Sequence, residues 1–271
     1  METLNEMKKI NAFGYYGGKY NILTWLIPKL PLTTTFVDVF GGSMSVLLNK
    51  EQSKVEIYND RESEVVNFFK VLREKPKTLI NKLSFTPFSR EEFQYSSENL
   101  SNHDLSEVER ARIFFIKAKQ SMMSSITSDQ WGFNVTKDKQ VKSFINGIKK
   151  LKVISDRIQN VYIENKDFSW LIKTYDTEDT LFYCDPPYLS LTRTDNNSYL
   201  HEMSLNRHIE LSVLLNKIKG KFAISGYDHP LYHKLYNKCK FEKTDPIGIG
   251  SSNTGRNKKS STRVECLWRN Y

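Results

Sequence analysis

The chain has 271 residues, 39% hydrophobic and 26% charged, which is typical of a globular protein with one large domain or one domain carrying an inserted module. No run approaches the ~20 apolar residues that cross a bilayer, and the amino-terminal METLNEMKKINAF has no apolar signal core, so we expect a cytoplasmic protein. The net charge of +9 favours a polyanionic partner, although a lysine-rich host proteome would give the same excess.

The first half of the chain alternates strand and helix patterns. TTTFVDVF is β-branched and aromatic and predicts a strand ending at Phe40, and GGSMSVLLN after it predicts a glycine turn that opens a helix. KVEIYND predicts a second strand, which ends in Asn59 and Asp60. RESEVVNFFKVLRE predicts an amphipathic helix whose apolar stripe consists of Val65, Phe68, Phe69 and Leu72. This order is how a doubly wound parallel sheet begins.

The strand patterns stop between residues 76 and 142. Within this range LSEVERARIFFIKAKQSMM predicts a helix, and SSITSDQWGFNVTKDKQ predicts a polar loop. We therefore predict a mostly helical inserted domain over residues 76–142. The sheet domain is then built from residues 1–75 and 143–271.

Alternation resumes after the insertion. VKSFINGIKKLKVISDRI and NRHIELSVLLNKI predict helices, and NVYIEN, DTLFYC and KFAISGY predict strands. In the second of these helices we expect five buried residues, Ile209, Leu211, Val213, Leu214 and Leu215. FEKTDPIGI and TRVECLWRN predict two last strands. The basic stretch GIGSSNTGRNKKSSTR joins them and suits either a loop that tracks phosphates or a solvated loop.

Cysteine and histidine give no metal signature. Three cysteines lie far apart, and their odd number argues against a disulfide framework. No Cys or His spacing suits zinc, so we predict no metal site. We expect surface or loop positions for four of the five histidines, His201, His208, His229 and His233.

Two glycine turns stand where a ligand could bind. In FVDVFGGSMSV, Asp38 lies near the carboxyl end of a strand, the edge at which open α/β sheets bind ligands. Asp60 follows 22 positions later and could accept hydrogen bonds from ribose hydroxyls. The turn is not G-x-G-x-x-G, which favours a nucleoside-type cofactor over a dinucleotide. In FGYYGGKYN, the glycines between Tyr15 and Lys19 indicate either a second ligand loop or a simple turn.

The stretch TLFYCDPPYLS ends a strand in an acid, two prolines and a tyrosine. Proline fixes its own φ, lacks an N–H donor and restricts the residue before it. Asp185 and Tyr188 are therefore held on a rigid corner at a strand tip. An acid that only hydrogen-bonds its own turn is the alternative.

Together, FGYYGGK, FVDVFGGSMSV and CDPPY, in this order, resemble the Dam family of DNA adenine-N6 methyltransferases. The resemblance extends from Phe13 to about Trp268 and includes GFNV at 132–135 and SSNTGRNKKSSTRVECL near the carboxyl end. It implies an α/β fold, a Rossmann-like methyltransferase sheet with an inserted helical target-recognition domain. It also implies S-adenosylmethionine as cofactor, double-stranded DNA as substrate, base flipping and no metal.

The resemblance also implies roles for the motif residues. Asp185, Pro186, Pro187 and Tyr188 would be catalytic: the adenine amino group would donate to the Asp185 carboxylate and the Pro186 carbonyl, and Tyr188 would stack on the extruded base. Asp60 would hold the ribose, Phe40 and Gly42 the methionine pocket, and Asp167 with Phe168 the cofactor's adenine. The full set of cofactor contacts is Tyr15, Gly17, Lys19, Asp38, Phe40, Gly42, Ser43, Asp60, Asp167, Phe168 and Asp185.

The predicted DNA contacts lie in two segments. They are Thr127, Ser128, Gln130, Trp131, Asn134, Asn253, Arg256, Lys258, Lys259 and Arg263. The family reads guanine with an arginine before FNV, but SMMSSITSDQWG has no Arg or Lys, so the resemblance does not extend to a GATC target. Transfer to RNA or to cytosine N4 remains open, as does a DNA-binding protein with an inactive transfer site. We expect a monomer encoded by a bacterium, phage or plasmid.

Overall fold

The computed structural model describes residues 9–15, 17–122, 126, 128–134, 136–189, 202–248 and 262–271. Five predicted DNA contacts lie outside the described residues: Thr127, Asn253, Arg256, Lys258 and Lys259. The chain enters the fold through a short helical segment that comprises 3₁₀ turns at Lys19–Ile22 and Ile27–Lys29 and helix α1 between them, at Leu23–Leu26.

The predicted strand–helix alternation forms a sheet with helices on both faces. Its first part is β1 Thr35–Asp38, α2 Ser45–Asn49, β2 Val55–Asn59 and α3 Ser63–Glu74. Four helices follow: α4 Pro76–Ser84, α5 Arg90–Asn99, α6 Glu107–Gln120 and α7 Lys139–Arg157. The remaining elements are β3 Val161–Glu164, α8 Phe168–Tyr175, β4 Thr180–Cys184, α9 Leu205–Leu215, β5 Lys221–Gly226, α10 Pro230–Leu235, β6 Lys240–Lys243, β7 Ile247–Gly248, β8 Thr262–Arg263 and β9 Cys266–Arg269.

The large sheet has the strand order β3-β2-β1-β4-β5-β9-β6. β9 runs antiparallel to both of its neighbours, and the other strands are parallel. The prediction of an α/β, Rossmann-like sheet is therefore confirmed. In register, Asp38 pairs with Tyr58 of β2 and Tyr183 of β4, so the carboxyl ends of three strands lie side by side. The chain order reverses between β1 and β4, which is where open α/β sheets bind ligands.

Both faces of the sheet are buried, as a parallel sheet requires. Along β4, Leu181 and Tyr183 point into the core that also holds α3, α6 and α7, whereas Phe182 and Cys184 point into the core under α8 and α9. This alternation follows from the two-residue repeat of a strand. Because both faces of the sheet are covered, a ligand can reach the last residues of the central strands only from the edge at which these strands end.

The helical region packs on one face of this sheet through aromatic rings. Phe68 of α3 stacks on Phe115 of α6 with ring centroids 5.8 Å apart and an interplanar angle of 12°. It also meets Phe13 and Phe114 edge-on or tilted, at 5.3 Å and 5.8 Å. Helices α4 and α6 thus share a core with the sheet. The division into two domains stays a prediction.

Helix α9 buries a narrower stripe than the sequence predicts. The buried positions are His208, Leu211, Ser212 and Leu215, which fall on one face at helical spacing. Ile209 and Val213 lie on the other side, 39% and 47% exposed, so their predicted burial was wrong. The predicted surface position of His208 was also wrong, because it faces the core and its Nδ1 lies 3.0 Å from the Tyr232 hydroxyl.

The two last predicted strands are each interrupted. β6 and β9 belong to the large sheet, while β7 and β8 form a separate pair. Pro246 has no N–H and cannot continue the ladder of β6. At the break, the N–H of Thr244 donates to the carbonyl of Glu265 at 2.9 Å, and the N–H of Glu265 donates to the Thr244 hydroxyl at 3.1 Å. The prediction of two continuous strands was therefore wrong, and the break holds Glu265 in place.

Within the described ranges, no helix combines the length and the apolar composition that a membrane crossing requires.

We expect Phe68→Ala to lower the free energy of unfolding by about 3–5 kcal/mol, because it empties a ring-sized space between α3 and α6. Phe85→Ala is the matched control: Phe85 is 83% exposed, so its loss should change stability by no more than about 0.5 kcal/mol. Urea unfolding monitored by circular dichroism measures both. Equal losses in the two variants would contradict the shared core.

Candidate active site

A cavity of about 360 Å³ opens at the carboxyl ends of the central strands. It lies between the amino-terminal glycine turn, the loops after β1, β2, β3 and β4, and the start of α9. Every predicted cofactor contact lines it: Tyr15, Gly17, Lys19, Asp38, Phe40, Gly42, Ser43, Asp60, Asp167, Phe168 and Asp185. The structure therefore brings these residues together. Their contact with a cofactor stays a prediction.

The glycine turn after β1 fits against a tyrosine ring. A Cβ on Gly41 would lie 2.2 Å from Cε2 of Tyr58, so no larger residue fits without displacing the ring. Gly42 has φ +47°, which side-chain-bearing residues rarely adopt. The Tyr58 hydroxyl donates to the Gly42 carbonyl at 2.7 Å. The turn is therefore fixed from β2 as well as from β1.

Asp60 ties the loops after β1 and β2 together. Its Oδ2 accepts from the N–H of Gly42 at 2.8 Å, and its Oδ1 accepts from the N–H of Glu62 at 2.8 Å. The backbone of Arg61 also contributes a hydrogen bond to this carboxylate, so of its four lone pairs one remains for a ligand hydroxyl. Burial raises the pKa of Asp60, against the effect of these hydrogen bonds.

The amino-terminal turn closes the cavity from another side. The N–H of Gly18 donates to the Tyr15 carbonyl at 2.9 Å, and Gly17 takes φ +74° at the third position of the turn. The ammonium of Lys19 then donates to the Gly17 carbonyl at 2.8 Å. Lys19 is only 3% exposed, so the turn delivers a buried cation to the site.

The Asp185 carboxylate meets that cation. Oδ2 of Asp185 lies 2.7 Å from Nζ of Lys19, whereas Oδ1 is buried and has no hydrogen-bond partner among the described residues. An unpaired buried acceptor costs about 1–3 kcal/mol. Lys19 therefore holds Oδ2 of Asp185, and Oδ1 can accept a hydrogen bond from an N–H group of a ligand.

Burial and pairing oppose each other in this ion pair. Burial raises the pKa of Asp185, and the charge and hydrogen bond of Lys19 partly offset that rise. Burial lowers the pKa of Lys19, but the carboxylates of Asp185 and Glu265 outweigh it and the pKa is raised overall. Lys19 thus remains charged and helps keep Asp185 ionised.

The other three residues of the Asp-Pro-Pro-Tyr corner differ in their position relative to the cavity. Pro187 lines the cavity, whereas Pro186 and Tyr188 are buried outside its lining. The Tyr188 ring lies between Nζ of Lys19, 4.9 Å from its centroid, and the ring of Tyr227 at 4.6 Å. Their catalytic roles stay predictions.

Asp38 is a third acid at this edge, and it is 2% exposed. Burial, and then the charges of Asp185 and Asp60, raise its pKa well above the usual value for an aspartate. A buried carboxyl with a raised pKa binds a proton readily until a cation approaches it. Three acids in one cavity therefore favour a positively charged ligand.

The far end of the cavity is flat and aromatic. The rings of Phe40 and Phe168 lie 5.9 Å apart, and the guanidinium of Arg207 lies 4.1 Å from the Phe168 centroid. Arg207 also pairs with Asp167, which caps α8 by accepting from the N–H of Ser169 at 2.9 Å. The Phe40 and Phe168 rings meet at 45°, and aromatic faces of this kind suit contact with a planar ring.

Sequence reasoning missed several residues of the site. Arg207, Glu202 and Met203 line the cavity from the segment before and within α9, and no motif marks them. Glu265 lies behind the Asp185 corner and pairs with Lys19 at 3.7 Å. An isolated acid in an apolar strand was its only signal in the sequence.

Four predicted DNA contacts of the helical region, Ser128, Gln130, Trp131 and Asn134, lie in the segment between α6 and α7. Ser121 and Trp131 form an isolated bridge, Ser128 and Gln130 are part of the loop between them, and Asn134 caps the turn that follows. Trp131 stacks on Phe133 with centroids 5.2 Å apart, and the guanidinium of Arg90 lies 4.8 Å from the Trp131 ring. Arg90 of α5 thus places a positive charge beside the segment SMMSSITSDQWG, which contains no Arg or Lys.

Arg263 pairs with Glu265, with Nε 3.2 Å from Oε1. Its contact with DNA, like those of Ser128, Gln130, Trp131 and Asn134, stays a prediction. Among the residues with assigned positions, no group of three His, Cys, Asp or Glu side chains could hold a metal ion.

Comparison with known proteins identifies the family. The model of the D12 class N6 adenine-specific DNA methyltransferases matches residues 15–246. The chain belongs to this family. The matched range includes both glycine turns, the Asp-Pro-Pro-Tyr corner and every residue that lines the cavity, whereas Glu265 lies beyond it.

Individual relatives carry related names. The chain is 25% identical to the DNA adenine methylase of Escherichia coli over 93% of this chain and 94% of the relative. It is 27% identical to the type II methyltransferase M1.LlaDCHI of Lactococcus lactis, over 89% and 90%. It is 23% identical to the modification methylase StsI of Streptococcus sanguinis over 96% of this chain, and it spans 43% of that longer protein. The D12 class implies a methyl donor and a DNA substrate.

We expect Gly41→Ala to abolish ligand binding in the cavity or to lower stability by about 1–3 kcal/mol, because the new methyl group collides with the Tyr58 ring. Gly248→Ala is the control, since no atom of the described residues lies within 4 Å of a Cβ built there. Thermal unfolding and ligand titration measure the two effects. Behaviour of Gly41→Ala identical to that of the control would contradict the tight turn.

Proposed function

We propose that the protein transfers a methyl group from S-adenosylmethionine to N6 of adenine at specific sites in double-stranded DNA. The observation that supports this proposal most strongly is the Asp185 carboxylate: Lys19 holds Oδ2, while Oδ1 is buried and has no hydrogen-bond partner in the part of the chain that the structure describes. An adenine amino group offers the N–H donor that this oxygen lacks. Membership of the D12 class supports the same reaction.

The residues of the cavity fit the cofactor. Asp60 keeps a lone pair for a ribose hydroxyl, Phe40 borders the methionine part, and Phe168 and Arg207 border the adenine. In this proposal Asp38 loses its proton when a sulfonium or ammonium group binds and then supplies the opposite charge. In this proposal Gly42 and Ser43 border the methionine part, Asp167 borders the adenine, and the turn of Tyr15 and Gly17 closes over the ligand. Bound S-adenosylmethionine supplies an electrophilic methyl carbon on a cationic sulfur.

Asp185 and Pro186 then prepare the nucleophile. The amino nitrogen of adenine is a poor nucleophile because its lone pair is conjugated with the ring. Hydrogen bonds to Asp185 Oδ1 and the Pro186 carbonyl draw the nitrogen towards tetrahedral geometry and free that lone pair for attack. Since two prolines and Lys19 fix the acceptors beforehand, little reorganisation accompanies the developing charge. The nitrogen afterwards loses a proton, which the Asp185 carboxylate is placed to accept.

The target base leaves the duplex in this proposal. Asp185 lies in the wall of a cavity, so an adenine that is still stacked and paired cannot reach it. Pro187 lines the same wall with Tyr188 behind it, and we propose that the extruded base lies against this side. Flipping costs a few kcal/mol, which contacts between protein and DNA must offset.

We propose that residues 76–142 recognise the target sequence. Trp131 and its neighbours Ser128, Gln130 and Asn134 form one contact surface, next to the guanidinium of Arg90. Arg256, Lys258, Lys259, Asn253 and Arg263 supply phosphate contacts in the same proposal, in line with the net charge of +9. We propose a monomer that acts in the cytoplasm of a bacterium, encoded by its chromosome, a plasmid or a phage.

The direct test incubates the protein with methyl-labelled S-adenosylmethionine and unmethylated genomic DNA, followed by digestion to nucleosides. We expect label in N6-methyladenine, and sequencing of the product gives the recognition site. Label in N4-methylcytosine or only in RNA would overturn the assigned substrate. Cofactor binding without label in any nucleic acid would favour an inactive binding protein.

We expect Asp185→Ala to lower methyl transfer by at least about 10²-fold, because it removes a fixed acceptor for the reacting amino group. The protein should stay folded, although its melting temperature falls because the buried Lys19 ammonium loses its 2.7 Å contact. Asp156→Ala is the control, since Asp156 is an exposed acid near the end of α7 that pairs with Lys152. Substantial transfer by folded Asp185→Ala would contradict its role.

We expect cofactor binding to release a proton and to strengthen as pH rises towards neutrality. Burial and the charges of Asp185 and Asp60 raise the pKa of Asp38, which favours its protonated form in the free protein, and a bound cation favours loss of that proton. Calorimetry in buffers of different ionisation enthalpy counts that proton. Asp38→Asn should reduce the count and flatten the pH dependence. An unchanged count in this variant would assign the proton to another acid, such as Asp60.

A further inference from the structure

Glu265 is a buried acid next to the transfer site but outside its cavity. It is 1% exposed and does not line the opening. Hydrogen bonds with Thr244 fix both its N–H and its carbonyl at the break before β9. Glu265 therefore cannot touch a ligand in the cavity, and any effect on a reaction there must pass through other side chains.

Its carboxylate joins the two side chains that flank Asp185. Oε2 accepts from the Tyr188 hydroxyl at 2.8 Å and lies 3.7 Å from the ammonium of Lys19. The same ammonium lies 4.9 Å from the Tyr188 ring centroid. One oxygen of Glu265 thus contacts a member of the Asp-Pro-Pro-Tyr corner and a member of the amino-terminal turn, which are far apart in the sequence.

Asp185 and Glu265 contact the Lys19 ammonium at different distances. Lys19 has its short contact, 2.7 Å, with Asp185 and the longer one with Glu265. At 3.7 Å the Glu265 carboxylate attracts the ammonium without a short hydrogen bond to it. Glu265 therefore attracts the Lys19 ammonium while Lys19 keeps its short contact with Asp185 Oδ2. Asp185 Oδ1 has no hydrogen-bond partner among the described residues.

Stability alone gives little reason for an acid here. A buried carboxylate loses several kcal/mol of hydration, and buried ion pairs can often be replaced by apolar residues without loss of stability. Glu265 lies beside the apolar strand β9 and needs a second cation, Arg263, at 3.2 Å. The negative charges of Asp185 and Glu265 are then balanced by the positive charges of Lys19 and Arg263 within a small region. The cost of this arrangement points to a role in the reaction.

We propose that Glu265 is a positioning residue of the transfer site, which holds the Tyr188 hydroxyl and the Lys19 ammonium so that Asp185 presents its unpaired oxygen to the substrate amino group. This role rests on the proposed function. It assigns no contact with cofactor or DNA to Glu265. Loss of the carboxylate should therefore impair the transfer step and leave cofactor binding intact.

The test compares Glu265→Gln, Tyr188→Phe and the double variant with the wild-type protein. Glu265→Gln removes the charge and keeps the shape, and Tyr188→Phe removes the donor from the other side of the same hydrogen bond. Glu242→Gln is the control, because Glu242 lies on β6 and pairs with Lys29 at 2.6 Å and with Arg269, away from the cavity. Single-turnover methylation of DNA containing the recognised site is measured at saturating S-adenosylmethionine, with cofactor affinity from calorimetry and melting temperature in parallel.

We expect Glu265→Gln to slow single-turnover methylation by roughly 10- to 100-fold, the size of effect that a small misplacement of reacting groups produces. Cofactor affinity should stay within about twofold of wild type, as for a residue that contacts no ligand. Tyr188→Phe should also slow transfer, and the double variant should lose less than the product of the two single effects, because both break one interaction. Glu242→Gln should transfer at the wild-type rate.

Each other outcome is decisive. A folded Glu265→Gln with the wild-type rate, or multiplicative effects in the double variant, would overturn the positioning role. A loss of cofactor affinity that matches the loss of rate would make Glu265 a support of the binding site. If Glu265→Gln fails to fold, Tyr188→Phe decides alone, and a wild-type rate in that variant rejects the role. A wild-type protein that binds cofactor but methylates no DNA would instead contradict the proposed function and, with it, this role.

Discussion

The buried ion pair between Lys19 and Asp185 is the interaction on which the site depends. A carboxylate at the tip of β4 would lose much of its charge in a dry cavity, because burial raises its pKa. The ammonium 2.7 Å away opposes that rise and also selects which oxygen remains unpaired. Every other feature of the site, from the glycine turn that carries Lys19 to the prolines after Asp185, maintains this geometry.

The sheet makes that pair possible through its register. β1, β2 and β4 end side by side, so Asp38, Asp60 and Asp185 converge although long stretches of chain separate them. Three acids this close repel one another unless protons or cations intervene. Lys19 supplies one positive charge to this group of acids. In the proposed function, a cationic cofactor supplies another. Under the proposed function, the ligand would match the cavity by charge.

Much of this arrangement was predictable because its signals are local. Glycines at 17 and 42 take the left-handed backbone that a side chain disfavours, and consecutive prolines fix a corner whatever surrounds them. The β-branched runs predicted the buried strands, and the apolar stripe of α3 was correct in each of its four positions, Val65, Phe68, Phe69 and Leu72.

The missed features depend on packing between distant segments. Glu265 reaches Lys19 because β9 inserts between β5 and β6, and no local pattern encodes that pairing. Arg207 and Arg90 reach aromatic rings of other elements for the same reason. Ile209 and Val213 were assigned to the core on hydrophobicity alone, yet α9 faces the sheet with the opposite side. Periodicity would have corrected that error.

The position of β9 has a consequence for the order in which the protein matures. β9 is the last strand of the chain but lies inside the sheet, so β6 cannot join the sheet before β9 arrives. During synthesis the amino-terminal turn, β1, β2 and β4 emerge well before the residue that tethers Lys19. A growing chain can therefore carry the residues of the cofactor cavity before it contains Glu265, and the transfer site is complete only after β9 has been made and has joined the sheet.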